Sequence, residues 1–145
     1  MARTAHRPPP SLLYAVKQVE LAVRSHLDDL LRPTGVTALQ YTALTVLEQR
    51  DDLTAAALAR NSFVTTQSMA DLVAALERRG LVERFRDPTD GRRILIHLTD
   101  AGRALIAEQR PAVAALERSM IAGLEDADIA VVRSSLDAMR RNLES

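Results

Sequence analysis

Two groups of residues in this sequence have types and spacing that suggest chemistry. Thr65, Thr66, Gln67, Ser68 and Asp71 form the first, and Asp90, Arg92 and Arg93 the second. A glutamine amide presents a donor and an acceptor in one plane, which matches the edge of adenine in a DNA major groove. Threonine and serine hydroxyls donate to phosphates or bases, and the threonine methyl can contact thymine. In the second group, a carboxylate two positions before Arg92 can hold the guanidinium extended. That lowers the entropy lost when the arginine enters a narrow, strongly negative minor groove. Both groups also have plainer explanations, since hydroxyls cap helices and Asp, Pro and Gly make turns. Turn chemistry, however, does not require two arginines beside the turn.

Other chemistries leave no trace. His6, His26 and His97 are isolated, with no further ligand at a dependable spacing, so no metal site is expected. The chain contains no cysteine, which removes disulfides, thiolate metal sites and thiol catalysis. There is no glycine-rich phosphate loop, no nucleophile elbow and no distinctive carboxylate pair, so no catalytic residue and no cofactor are expected. A small enzyme remains a rival reading without a recognisable site.

The elements that must position the two groups are helical for the most part. With 145 residues, 47% apolar content, two Phe, two Tyr and no Trp, the core must be built from Leu, Ala, Val and Ile. Residues 1–10 end in three prolines and read as a flexible arm, and residues 11–145 as one domain. Leu12, Val16, Val19, Val23, Leu27 and Leu30 place an apolar stripe on a first helix over about 11–32, stopped by Pro33 and Gly35. Thr37 and Gln40 form a capping box for a second helix whose buried face is read as Leu39, Ala43, Val46 and Leu47. Thr54 starts a short helix over 55–60, interrupted by Asn61, Ser62, Phe63 and Val64. Thr65 starts another with Met69, Leu72, Val73 and Leu76 inward and Arg78, Arg79 and Gly80 at its end. These two helices read as a helix-turn-helix.

The period then changes to two. Residues 81–86 and 93–98 read as strands, with Ile94, Ile96 and Leu98 on one face, and Asp87, Pro88, Thr89, Asp90 and Gly91 form the tip, Gly91 supplying a positive φ. A helix capped by Thr99 follows, with Leu105, Val113, Leu116, Met120 and Leu124 inward and a kink or frayed junction at Pro111. Asp126 caps the last, whose stripe is Ile129, Val132, Leu136, Met139 and Leu143. The fold class is therefore mainly α: a winged helix-turn-helix over about 37–99 with a two-stranded β-wing, flanked by helices over about 11–32 and 100–143. The compact middle does not need the terminal stripes, so a two-fold partner chain should cover them through Leu12, Val16, Ile129, Val132, Leu136 and Met139. Tyr14, Gln18, Leu21 and Ser25 form a second stripe on the first helix which, with Tyr41, suits either a small-molecule pocket or a half-buried interface.

Net charge is zero, with 19 basic and 19 acidic residues, and every basic residue but Lys17 is Arg. A polycationic coat is excluded. The excess is local: Arg78, Arg79, Arg84, Arg86, Arg92 and Arg93 stand against Glu83, Asp87 and Asp90, the footprint of a compact DNA reader. Lys17, Glu20, Arg24, Asp28 and Asp29 interrupt the early apolar stretch, so no membrane span or signal core is expected and a cytoplasmic location follows.

The run RDPTDGRRILIHLTDAG, preceded by LVAALERRGLVERF, resembles the wing of the multiple-antibiotic-resistance regulator (MarR) family of winged-helix transcription factors. The resemblance is carried by Asp87, Pro88, Asp90, Arg92, Leu98, Thr99 and Gly102 and extends from about Leu12 to Leu143. It implies a homodimer that binds palindromic operators on double-stranded DNA, commonly as a repressor released by a small phenolic or aromatic-acid ligand. It also implies a minor-groove contact at Arg92 braced by Asp90, and major-groove readers at Thr66, Gln67 and Ser68. The chain departs from the commoner pattern at Asp71, where a basic or polar residue is usual. A winged-helix protein–protein adaptor that binds no DNA is the other reading of the same elements.

Overall fold

The computed structural model describes residues 7–62 and 64–144, so residues 1–6 of the expected arm and Phe63 of the expected interruption lie outside the described residues. The order is α1 (Leu12–Leu31), a 3₁₀ turn (Arg32–Thr34), α2 (Ala38–Gln49), α3 (Ala55–Ser62), α4 (Thr66–Arg78), β1 (Val82–Arg86), β2 (Ile94–Leu98), α5 (Asp100–Met120) and α6 (Asp126–Glu144). This is the expected mainly α winged helix-turn-helix. Two compact units are present, Met1–Arg110 and Pro111–Ser145. The helix α5 runs unbroken through Pro111, where the division between the units falls.

Helices start where a side chain satisfies their free amides. In the capping box, Gln40 N donates to Thr37 Oγ1 at 3.1 Å and Thr37 N donates to Gln40 Oε1 at 3.0 Å. Thr54, Thr65 and Thr99 accept from the amides of Ala57, Ser68 and Gly102 at 3.2, 3.1 and 3.1 Å. A partner not anticipated is Asp28 of α1, whose carboxylate accepts from Ala38 N at 2.7 Å and so places a negative charge at the start of α2. At α6 the expectation is off by one residue: Asp126 lies inside the first turn, and the Ile129 amide bonds the Glu125 carbonyl at 3.0 Å. The interruption after α3 also comes later than expected, because that helix continues to Ser62.

The core of the first unit is formed by Leu31, Ala43, Leu44, Leu47, Leu58, Met69, Val73, Leu76, Val82, Ile96, Leu98 and Ile106. On α2 the single stripe fails. Leu39 is exposed and Val46 half-buried, whereas Ala38, Tyr41 and Leu44 are buried. The helix packs against α1, α3 and β2, so neighbours on several sides bury a wider face than a 3.6-residue period predicts. In β2, Ile94 at the tip end is exposed while Leu95, on the other face, is buried.

The two strands pair antiparallel from Val82 with Leu98 to Arg86 with Ile94. Leu53 adds a single bridge to β2, its carbonyl accepting from Ile96 N at 2.7 Å. The tip is organised by carboxylates and not by a left-handed glycine, since Gly91 is not among the positive-φ glycines. Asp87 Oδ1 accepts from Thr89 N at 2.8 Å and Thr89 Oγ1 at 2.7 Å, and Asp90 Oδ1 accepts from Arg92 N at 3.1 Å. These bonds hold the Asp87 carboxyl below the usual carboxylate range, the Thr89 amide contributing most, then the Thr89 hydroxyl, with Arg93 adding less.

The wing meets α5 at Gly102. A Cβ there would strike the Leu81 carbonyl oxygen and the Leu98 side chain. Because one of those neighbours is backbone, the clash cannot be relieved by a rotamer change.

Gly102→Ala is therefore expected to lower the melting temperature. Overpacking costs about 1–3 kcal/mol, and the better helix propensity of Ala returns at most about 1 kcal/mol. An unchanged or raised melting temperature by calorimetry would show that α5 can move off Leu81. For the tip, a carboxyl whose folded pKa is depressed contributes order above its unfolded value, near 4, and loses it as pH falls through the lower folded value. The Thr89 amide resonance should hold its position down to about pH 4 and move only below it; movement between pH 7 and 5 would contradict the Asp87 assignment.

Candidate nucleic-acid interface

The helix α4 shows how a short amphipathic segment presents a polar face. Met69, Val73 and Leu76 are buried and Leu72 is half-buried, which fixes the inner side. Thr65, Thr66, Gln67, Ser68 and Asp71 are all exposed. Thr65 Oγ1 donates to Ser68 Oγ at 2.9 Å as well as accepting from the Ser68 amide, so these two hydroxyls belong first to the cap. The side chains of Thr66, Gln67 and Asp71 make no hydrogen bond among the described residues. At 3.6 residues per turn, Gln67, Ala70, Asp71, Ala74 and Arg78 stand opposite the buried stripe. Ala70, Ala74 and Arg78 were not singled out from the sequence, although steps of three and four from Gln67 lead to them.

The far end of α4 is tied on two sides. Arg84 on β1 reaches back to Glu77 with Nε and Nη2 at 3.0 and 2.9 Å. This bidentate pair lowers the Glu77 pKa, chiefly through the side-chain hydrogen bond, and raises that of Arg84 for the same reason. Arg79 donates to the Thr34 carbonyl, and its guanidinium lies over Gly35, whose φ of 74° is left-handed. The start of α4 is thereby left outward while its end is fastened both to the wing and to the turn after α1.

At the tip, the Arg92 side chain is 97% exposed. Its Nε lies 3.7 Å from Asp90 Oδ1, looser than the 3.1 Å bond from the Arg92 amide to the same oxygen. Asp90 thus shapes the backbone first and holds the guanidinium second. Arg93 lies 3.8 Å from the Asp87 carboxylate, as loose an approach as that of Arg92 to Asp90. Arg86 donates to the Gly91 carbonyl at 3.2 Å, closing the hairpin from β1.

A cleft of about 570 Å³ at the base of the wing is lined by Asp52, Glu77, Glu83, Arg84, Phe85 and His97 among others. His97 Nδ1 lies 3.2 Å from Asp52 Oδ1, and the Phe85 and His97 rings meet edge to face at 6.1 Å. Asp52 has a φ of 59°, a backbone conformation that isolated sequence spacing does not reveal. Among the described residues no group of three or more His, Cys, Asp or Glu could hold a metal ion.

The residues considered for a ligand pocket differ in exposure. Tyr14, Gln18 and Leu21 are exposed on α1, whereas Tyr41 is only 6% exposed on α2. Burial pushes the Tyr41 phenol above its ordinary pKa, opposed by Arg110 and assisted by Glu48. None of the four lines the wing-base cleft or the groove in the second unit. Of the proposed interface residues, Leu12 and Val16 are exposed on α1, Val132 and Leu136 are exposed on α6, and Ile129 and Met139 are half-buried. Met120, Ile121, Leu124, Ile129, Val132 and Leu136 line a shallow groove of about 300 Å³ within the second unit. No described helix is long and apolar enough to cross a membrane.

This architecture agrees with known proteins. The model of the MarR family matches residues 34–93, from the turn after α1 to the end of the wing tip. The HTH-type transcriptional repressor Rv2887 of Mycobacterium tuberculosis is 32% identical over 111 residues, covering 77% of this chain and 80% of that protein. Among solved structures, CouR from Rhodococcus jostii RHA1 bound to p-coumaroyl-CoA has a TM-score of 0.81 at 26% identity, covering 89% of this chain and 91% of that one. The S. aureus MepR–DNA complex has a TM-score of 0.82 at 24% identity over 92% of this chain and 99% of that one, a likeness of fold. With a repressor at this identity across most of both sequences, and a family model matched across the winged helix-turn-helix, the chain belongs to the MarR family of DNA-binding transcriptional regulators.

Proposed function

We propose that the chain works as a homodimeric repressor of palindromic operators, released when a small aromatic or phenolic acid binds. One observation carries the reading. The outward polar start of α4 and the almost fully exposed Arg92 belong to the same compact unit, so one rigid module can offer a helix to a major groove and an arginine to the adjacent minor groove. Thr66, Gln67 and Ser68 are the major-groove readers, Thr65 and Asp71 flank them, and Asp90, Arg92 and Arg93 form the wing contact. The exposed apolar positions Leu12 and Val16 in the first unit, and Val132 and Leu136 with Ile129 and Met139 in the second, are the positions a second copy covers; left in water, such stripes invite aggregation.

The repressor assignment is supported by the printed name of the Mycobacterium tuberculosis relative. An aromatic-acid ligand is supported by neighbours described with p-coumaroyl-CoA and with 6-hydroxynicotinic acid. In this chain Tyr14, Gln18, Leu21 and Tyr41 are the residues proposed to meet it. Release then follows from linkage. A ligand that favours a dimer with the wrong spacing of its two reading helices weakens DNA binding by the factor that DNA weakens the ligand.

Footprinting across the region upstream of the chain's own gene tests the reading. A protected palindrome with half-sites about one turn, roughly 34 Å, apart is expected, and absence of salt-sensitive binding to any duplex would favour a protein–protein adaptor. Arg92→Ala should weaken binding without altering folding and reduce the salt slope by about one ion; an unchanged affinity and slope would remove the wing from the interface. Leu136→Asp should give a folded monomer that no longer protects the palindrome. A variant that sediments as a dimer and still binds would place the interface elsewhere.

A further inference from the structure

The unexplained residue on the outward face of α4 is Asp71. It is exposed, and it stands beyond the first turn of the helix, so it does not complement the helix dipole. Its neighbours at three and four positions are Gln67, Ser68, Ala74 and Ala75, none of which carries a charge. No side chain bonds it among the described residues, whereas Glu48, Asp51, Glu77, Asp87 and Asp90 in the same unit each lie beside an arginine. The carboxylate therefore contributes nothing visible to the fold and sits beside Gln67 on the face opposite Met69, Val73 and Leu76.

A free carboxylate on a face that approaches DNA is repelled by phosphates and loses hydration in the groove, so only a base-edge donor can compensate it. Guanine offers two acceptors in the major groove, thymine offers an acceptor and a methyl, and adenine sets its amino group beside the N7 acceptor. Cytosine alone presents a donor without an adjacent acceptor. Ala70 and Ala74, on either side of Asp71 along the face, have no side-chain bulk to hold the helix away from the base edges. The rise from Gln67 to Asp71 is about 6 Å at 1.5 Å per residue, comparable to roughly two base steps of 3.4 Å.

We infer that Asp71 is a specificity-determining residue that selects cytosine in each half-site, one or two base steps from the adenine read by Gln67. This rests on the proposed DNA-reading role of α4. It assigns the charge a double effect: Asp71 lowers affinity for duplexes in general and raises discrimination at one position.

Selection from a random duplex library with the full chain, followed by affinity measurements on the selected and on unrelated duplexes, tests the inference. The wild-type protein should enrich a palindrome with cytosine at one position per half-site, favoured about tenfold or more over other bases there. Asp71→Asn should move that preference to adenine, because an amide matches the paired donor and acceptor of adenine. Asp71→Ala should lose preference at that position alone and bind unrelated duplexes more tightly. Circular dichroism should be unchanged for both, since the site is exposed. Variants that bind every duplex more tightly while enriching the wild-type palindrome unaltered would reduce Asp71 to a repulsive charge and overturn the inference alone. A wild-type chain that enriches no sequence would overturn the DNA-reading proposal, and this inference with it.

Discussion

The placement of α4 relative to the wing depends on one joint around Thr99. Its amide donates to the Leu81 carbonyl at 3.2 Å, its hydroxyl donates to the Gly80 carbonyl at 2.7 Å, and the same hydroxyl accepts from the Gly102 amide. A single residue thus ends β2, caps α5 and fastens the segment that leaves α4. Gly80, with a φ of 72°, lets the chain turn out of α4 directly into the wing. Gly102 lets α5 press against the Leu81 carbonyl. Because these contacts involve backbone, the angle between α4 and the wing is set by hydrogen bonds and steric exclusion more than by the rotamers of surface side chains.

Around that joint, arginine–carboxylate pairs orient the surface without adding much stability. Exposed pairs are worth about 0–1 kcal/mol each, and the pairs of Arg84 with Glu77, Arg103 with Asp51 and Arg110 with Glu48 are all partly exposed. Their effect is to decide which charges are already committed. Arg84 is bound to α4, and Arg79 to the turn after α1. Arg92, by contrast, carries only a loose 3.7 Å approach from Asp90. The wing tip therefore presents two loosely held guanidiniums, Arg92 being the more exposed of them and Arg93 lying 3.8 Å from Asp87, although the tip also contains two carboxylates.

What was legible in the sequence follows from how local each feature is. The capping box of Thr37 and Gln40, the caps at Thr54, Thr65 and Thr99, and the pairing of Val82 to Arg86 with Ile94 to Leu98 depend on residues close in the chain or on simple periods, and they were readable. Leu39, Val46, Tyr41 and Leu44 were sorted wrongly or missed because their burial is decided by three neighbouring elements at once. The Leu53 bridge is one residue long and has no period to detect. Gly91 suggested a left-handed turn, but two aspartates already supply the bonds that shape the tip. On the candidate interface, types and spacing brought out the exposed start of α4. They could not tell that the Thr65 hydroxyl both donates and accepts within the cap, which leaves the free hydrogen-bonding capacity to Thr66, Gln67, Asp71 and the hydroxyl proton of Ser68.

Zero net charge also constrains how a protein of this family can hold DNA. Long-range attraction to a polyanion scales with the charge a surface presents, and here Arg84, Arg103 and Arg110 beside the winged core are each neutralised at close range by a carboxylate of the same chain. Among the described residues, cations without such a partner, such as Arg60 and Arg78, or with a loose one, such as Arg92 and Arg93, can release counterions at little internal cost. Non-specific binding is then intrinsically weak, and a favourable complex requires that the few free charges and the polar face of α4 meet their targets together. If α4 and the wing read DNA as proposed, the fastening of α4 at both Glu77 and Arg79 supplies that simultaneity, since a helix that could rock would lose its contacts whenever the wing engaged. In that proposed role, rigidity at the far end of α4 is part of recognition, even though none of the residues that provide it faces the side on which Gln67 and Asp71 stand.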